Sequence, residues 1–513
     1  MSQPSFDVLR QPWIPVIRMD GTREEVGILS ALEHAHELRA IHDPSPIIEF
    51  GLYRLLVAFL LDALMLAGRQ PADIPDLESL IREKCIDLHI IDDYVCHCGD
   101  VFNLFNPERP FLQTANLAGD EGGPIEALFF SVPSGSEAIH WHHVKEGKMS
   151  VSAADAVRAL TAFGPFMKQG GRGYSPSING SSPLYAMPIG GSLFHTLILN
   201  LPIRAYGEGK ASAAWLRRDT PIGRRSPMST TDALTWQPRQ ATLLTCGNEQ
   251  DGAAAASLRF KPGLQVDGSD WIDPNLAYKW GDKGAEKVSM QKNRALWRDA
   301  GALALLTGRE LGGGNDKVSI RRPDVVEQAY SLIHRDESLH LRVYGLRAKQ
   351  ANVFEWISSD LQIPAVIGKT TRLGDRVEQE LQIAESSARA LRSAILRLTP
   401  EFEREEQKSP GKRKAWDKRS IRSIADRCER TYWQRLESHF LPLMNAFASL
   451  DPNAPDDPER IASTAKDWRG AVRTLAVEEF ESAAKDMDAD SDALERQVNA
   501  RSRLNSTLRK VLS

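Results

Sequence analysis

A chain of 513 residues is long enough to bury a large core and to form more than one domain. Its 42% hydrophobic and 26% charged content is that of a folded globular chain, which excludes a disordered or collagen-like polymer. The net charge of −4 excludes a generally basic nucleic-acid binder, so any contact with nucleic acid must come from local basic patches. Five cysteines, an odd number without paired spacing or a secretory leader pattern, predict free thiols in a reducing cytoplasm. The longest apolar run, Leu55 to Leu66, is interrupted by Asp62 and is too short to span a bilayer, so no membrane association is expected.

Phe6 to Ile17 reads as a short strand, with Pro15 marking an edge, and Thr22 to Val26 as its returning partner. Leu29 to Leu38 reads as a short helix. Ile48 to Ala67 is the strongest early helix, apolar on most of its circumference and therefore expected in the core. Val101 to Gln113 pins large apolar side chains between two prolines and reads as a rigid core-packed connector. Cys96-His97-Cys98 has one intervening residue rather than a zinc-knuckle spacing, so no metal is expected there.

Ser131 to Met149 is polar and reads as a long loop carrying His140-Trp141-His142-His143. Adjacent histidines on an extended segment point to opposite faces and do not converge on one ion. The loop suits contact with RNA or a protein partner, or is a structural turn. Ser152 to Phe163 reads as a helix leading to a glycine-dense basic stretch, Phe163 to Tyr174. That stretch holds Lys168, Gly170, Gly171, Arg172 and Gly173. Glycines allow close approach of a ligand to the main chain, and exposed amides beside Lys168 and Arg172 suit a phosphate or a base edge. A long ordered turn is the plainer alternative. No Walker lysine follows, which disfavours a nucleoside-triphosphate loop. The apolar run Leu193 to Pro202 reads as a buried strand.

Further on, Arg217-Arg218 and Arg224-Arg225 flank a proline turn. Leu258 to Trp271 reads as a hairpin turning near Asp267-Gly268 and carrying Arg259 and Lys261. Gly312-Gly313-Gly314 reads as a flexible connector. Leu339 onward reads as a strand broken at Gly345, with a polar tip from Arg347 to Asn352 and a second strand after it. From Thr370 the pattern is purely helical. Four amphipathic segments predict an antiparallel four-helix bundle spanning 369–513, after a mixed α/β N-terminal domain of 1–368. The fold class is thus α+β. The connector Glu403 to Arg422 is basic, either a solvated run or a phosphate track. Asp486, Asp488, Asp490 and Asp492 lack the glycine and glutamate of a calcium loop and read as a helix-start cluster.

Several of these stretches, in order, resemble one family. They are Trp13-Ile14-Pro15-Val16, the apolar helix around Tyr53 to Leu66, and Phe102-x-Leu104-Phe105 followed by Pro110-Phe111-x-Gln113. The glycine loop with Ser182-Pro183 and Thr196 to Leu201, then Arg347 to Glu355, then Ala425 to Phe440 complete the set. The chain resembles CasA, the large subunit of the type I-E CRISPR surveillance complex Cascade, over nearly its whole length.

The resemblance implies a subunit without catalysis or cofactor that inspects the protospacer-adjacent motif (PAM) of target double-stranded DNA through the minor groove. It implies a glycine loop at Gly170, Gly171, Arg172 and Gly173, and a strand-separating wedge at Lys349, Gln350 and Ala351. Either Arg259 or Lys261 would be the hairpin cation. Ser131 to Met149, with His140, Trp141 and His142, would dock the subunit on the guide-bearing end of the complex. The implied partners are the backbone and small subunits, the CRISPR guide RNA, the target duplex and the helicase–nuclease effector. The chain departs from the pattern between the docking loop and the glycine loop. There some relatives hold zinc on paired cysteines, whereas Lys148 to Asp155 contains none. A scaffold subunit without direct DNA readout is the runner-up reading, and a nuclease the third.

Overall fold

Apolar residues around the whole circumference of Pro46–Leu66 leave this helix nowhere to go but the interior, and almost all of it is buried. The helix ends in a left-handed Gly68 (φ +67°), with Gly68 N–H donating to the Met65 carbonyl and Arg69 N–H to that of Leu64. Its three buried polar side chains are all partnered. Glu49 accepts from Tyr344 Oη at 2.7 Å, Arg54 pairs with Asp273 at 2.7 Å, and Asp62 accepts from Tyr94 Oη at 2.7 Å. A Cβ on Gly51 would meet Thr161 atoms at 2.7–2.8 Å, so glycine there lets the helix Ala153–Thr161 cross closely.

The computed structural model describes residues 4–118, 122–130, 150–170, 173–203, 205–206, 212–246, 254–267, 271–281, 284–291, 294–305, 307–311, 318–349, 352–399, 415–455, 457–487 and 491–512. They form two compact units. The first comprises Met1–Met290, Leu311–Leu332 and His340–Asp360, and the second Gln291–Glu310, Ile333–Leu339 and Leu361–Ser513.

The first unit mixes small sheets with helices around Pro46–Leu66. Ile14–Arg18 lies between Arg23–Val26 and Leu38–Ile41, with Trp13 buried and its indole N–H bound to the Val8 carbonyl at 2.8 Å. Arg239–Cys246 pairs antiparallel with Ala254–Pro262, which also takes the short strands Gly123–Pro124 and Val151–Ser152. Leu184–Pro188 pairs antiparallel with Leu341 to Gly345 of the long strand Ser338–Lys349. Tyr278–Gly281 lies between Gly284–Lys287 and Val318–Arg321. The connector after Val101 is core-packed as expected, with Phe102, Leu104 and Phe111 buried.

Three local expectations are corrected. The run after Leu193 is not a strand but the helix Leu193–Leu199, capped by Ser192 Oγ accepting from His195 N–H at 3.2 Å. An unbroken apolar run has no period to separate a buried helix from a buried strand, and the strand itself is Leu184–Pro188. The hairpin expected over Leu258 to Trp271 is instead Arg239–Cys246 with Ala254–Pro262. Pro262 has no N–H to continue the ladder, and Leu264–Val266 leaves to pair in parallel with Gly223–Arg225. Finally, Ser338–Lys349 runs straight through Gly345. That glycine serves close packing, since a Cβ would lie 2.7 Å from Met290 Sδ.

In the second unit the helix Thr371–Leu396 packs against each of three other long helices, Ala415–Glu437, Lys466–Lys485 and Ser491–Leu512. The shorter Phe440–Ala448 and Pro458–Thr464 join them. Trp297, fully buried, sits 5.1 Å from Phe440, 5.7 Å from Trp433 and 6.4 Å from Trp468, ring centre to ring centre. Beside it Arg298 lies 3.7 Å over the Trp433 ring and forms a fork with Glu385. Among the described residues no helix is long and apolar enough to cross a membrane.

Candidate nucleic-acid interface

The glycine loop rests on a buried polar node. Asp273, wholly buried, accepts from Arg54 Nη2 at 2.7 Å and from Asn179 Nδ2 at 2.6 Å. Asn179 also donates to Tyr185 Oη, which donates in turn to the Pro165 carbonyl at 2.9 Å. Phe50 stacks on Tyr185 with ring centres 4.3 Å apart. Both ends of the loop segment, Pro165 and Asn179, are thereby fixed to the core helix. Further hydrogen bonds help sustain a charged pair this deep: Arg54 Nε donates to the Leu234 carbonyl at 3.1 Å, and Asp273 also accepts from the Asn275 amide at 3.0 Å.

Above the node the loop is small and bonded. Ser177 N–H donates to the Met167 carbonyl at 2.7 Å and Gly170 N–H to that of Tyr174 at 3.2 Å. Gly173 is exposed with φ +88°, a conformation that favours glycine. Lys168 and Gly170 are partly exposed, and Gln169 is exposed. Gly171 and Arg172 lie outside the described residues.

Arg239 holds this loop, a role that no local pattern in the sequence announced. It is 7% exposed. Nη2 donates to the Lys168 carbonyl at 2.7 Å, Nη1 to the carbonyls of Ser175 at 2.5 Å and Pro238 at 2.9 Å, and the guanidinium lies 5.0 Å from the Tyr174 ring centre. Burial pushes its pKa down to about 10, so it stays charged at neutral pH.

The two candidate cations of strand Ala254–Pro262 differ. They share a face of the strand, two residues apart. The Arg259 side chain is half-buried and Nη1 donates to the Leu117 carbonyl at 3.3 Å. Lys261 is exposed. The glycine loop comes down on this end of the strand: Tyr174 Oη donates to the Phe260 carbonyl at 3.4 Å, and a Cβ on Gly173 would lie 3.6 Å from Pro262. The structure therefore brings together Lys168, Gly170, Gly173 and the strand that carries Lys261.

The long hairpin reaches Lys349 on one strand and resumes at Asn352 on the other. Gln350 and Ala351, and the side chain of Lys349, lie outside the described residues. Its strands are firmly rooted. Arg342 donates to Asp360 at 2.7 Å and to Glu49 at 3.0 Å. Arg347 pairs with Glu355 across the hairpin at 3.5 Å. Ser182, at the exit of the glycine-loop segment, donates Oγ–H to the Ala348 carbonyl at 3.1 Å and accepts from Ala348 N–H at 3.2 Å. These two bonds give the Ser182-Pro183 motif a structural role.

His140, Trp141 and His142, expected from the sequence to dock the subunit, lie outside the described residues, as does most of the basic connector after Thr399. Among the described residues no group of three His, Cys, Asp or Glu side chains could hold a metal ion.

Comparison with known proteins agrees with this architecture. A CRISPR-associated protein CasA/Cse1 from Thermus thermophilus is 28% identical over 491 residues, covering 93% of this chain and 92% of that protein. The crystal structure of Thermobifida fusca Cse1 superposes with a TM-score of 0.76 at 21% identity, covering 99% of this chain and 98% of that one. A chain of a solved CRISPR RNA-guided surveillance complex superposes with a TM-score of 0.74 at 21% identity, covering 98% and 100%. These structural likenesses are likenesses of fold. The model of the family described as CRISPR-associated protein Cse1 matches residues 7–478, and the chain belongs to that family.

Proposed function

We propose that this chain is the subunit of a CRISPR RNA-guided surveillance complex that reads a short flanking mark, the PAM, in target duplex DNA and helps open the duplex. The observation that carries this reading is the descent of the glycine loop onto the Lys261 end of its strand. That convergence sets small, closely approachable backbone beside an exposed cation. Such a surface suits a minor groove, whose floor is read at close range and whose phosphates want positive charge. The groove offers a degenerate code, so several related marks would be accepted. Division of labour follows: guide pairing reads the long sequence and protein reads only a short duplex mark.

Lys261 is the cation of choice over Arg259, whose guanidinium serves the Leu117 carbonyl. The long hairpin then supplies the wedge, with Gln350 entering the first base step, Lys349 on the adjacent phosphate and Ala351 allowing close approach. Unstacking one step costs a few kcal/mol, roughly, and a rigid hairpin is suited to meet that cost. His140, Trp141 and His142 would dock on the guide-bearing end, beside the guide RNA and backbone subunits. The helical unit would meet the small subunits. Recruitment of the helicase–nuclease completes the role.

The test places a photocrosslinking amino acid at the exposed Gln169 in the reconstituted complex. The reading expects crosslinks to the base pairs just outside the guide-paired region. Crosslinks only to protein subunits would favour a scaffold without DNA readout.

A further inference from the structure

We propose that Arg239 is the positioning residue of the glycine loop, setting the loop's register against Lys261 so that the two read one mark together. This rests on the DNA-reading role proposed above. Its side chain binds carbonyls on both flanks of the loop, Lys168 before it and Ser175 after it. A single planar guanidinium therefore fixes the width of the loop's base. The Tyr174 ring lies beneath the same group, and Tyr174 in turn accepts the Gly170 amide through its carbonyl and reaches the Phe260 carbonyl through its hydroxyl.

The backbone of Arg239 supplies the second half of the geometry. Arg239 stands directly opposite Pro262, and Gln240 opposite Lys261, in the antiparallel ladder. A Cβ on Gly263 would lie 2.5 Å from Arg239 N, so glycine there admits this close approach. One residue thus belongs by its main chain to the ladder that carries Lys261 and by its side chain to the loop. Among the described residues no carboxylate pairs with Arg239, although it is nine-tenths buried. Among the described residues its charge is met by the carbonyls of Lys168, Ser175 and Pro238 and by the Tyr174 ring. An apolar side chain would fill such a place more cheaply if packing were all that was required.

Arg239→Lys separates positioning from charge. Lysine keeps the cation but is a single point donor that cannot span two carbonyls in a plane. Two readouts are taken on the full chain in the guide complex. Amide hydrogen exchange across 168–177 is expected to accelerate in Arg239→Lys while the melting temperature stays near that of wild type. The affinity ratio between the best and a scrambled flank is expected to fall about tenfold, the scale of one lost base contact. Gly170→Ala reaches the same loop independently, because its Cβ would sit 2.6 Å from Tyr174 Cβ and dislodge the ring from Arg239. It should reproduce both effects, and it decides the matter if Arg239→Lys folds poorly.

Unchanged exchange in both variants would overturn the proposal. So would faster exchange with full flank discrimination. If wild-type complex shows no flank preference and Lys261→Ala changes nothing, the DNA-reading role itself fails; the exchange data then still report whether Arg239 anchors the loop.

Discussion

Ser182 and Ala348, 166 positions apart, exchange two hydrogen bonds through one hydroxyl. The serine closes the glycine-loop segment, and the alanine stands one residue before Lys349 on the hairpin. Leu346 N–H adds a bond to the Pro183 carbonyl at 3.3 Å. Loop and hairpin are therefore stitched side by side rather than joined through flexible chain.

Ser182→Ala removes both bonds and is expected to destabilise by about 1–2 kcal/mol, with Ser182→Thr retaining the hydroxyl and most of the stability. In the complex it should slow R-loop formation on fully paired DNA, as should Gln350→Ala. Pre-opening the first base pairs with a mismatched bubble should restore both rates. Equal slowness on paired and bubbled DNA would remove the hairpin from the opening step.

Gly173→Ala tests backbone conformation rather than space. A Cβ there has only Pro262 at 3.6 Å, but φ is +88°. The expected strain is about 1–2 kcal/mol, released by a local change of loop shape. Flank-dependent duplex binding should weaken in gel shifts while assembly with the other subunits persists.

Lys261→Ala and Arg259→Ala should behave differently. Loss of Lys261 is expected to weaken binding and, if it contacts phosphate, to reduce the salt slope by about one. A base contact would reorder a panel of flanks instead. Arg259→Ala should leave binding unchanged and cost about 1 kcal/mol of stability, the net worth of its bond to Leu117.

Trp297→Ala should cost about 3–5 kcal/mol, because a fully buried indole packed on Trp433, Phe440 and Trp468 is lost. The same geometry bears on the helical fragment alone. We propose that a chain beginning at Leu373 is helical by circular dichroism but melts low, and that adding 291–310 as a peptide raises its melting temperature. A fragment unaffected by the peptide would show that the bundle needs no help from upstream.

Thiol labelling of the native chain near pH 8 should reach the exposed Cys85 and Cys96 and spare the buried Cys98 and Cys428. Burial pushes the Cys98 thiol up to about 12, so it is neither accessible nor ionised. Rapid labelling of Cys98 would contradict its packing.

What the sequence made legible was periodic or family-like. The helix Pro46–Leu66 and the four long helices after Thr370 announce themselves by spacing, and the mixed-then-helical order follows. Leu193–Leu199 was misread because an apolar run without alternation has no period, and only the Ser192 cap separates the cases. The hairpin of Arg259 and Lys261 was misplaced because pairing with Arg239–Cys246 is a tertiary choice, decided where Pro262 ends the ladder. Arg239 was invisible for the same reason. Its partners lie 64 and 71 residues away, and nothing in Trp236-Gln237-Pro238-Arg239 signals a carbonyl clamp. The contribution of Trp297 to the helical unit likewise rests on contacts with Trp433, Phe440 and Trp468, distant in sequence, which periodicity cannot express.

The most direct test compares the guide complex with and without this chain on two duplexes that share the guide-matched sequence and differ only in the flanking base pairs. Tight binding to one flank is expected, with much weaker binding to the other and loss of that difference when the chain is left out. Equal binding to both flanks by the complete complex, or a flank preference that survives without this chain, would contradict it.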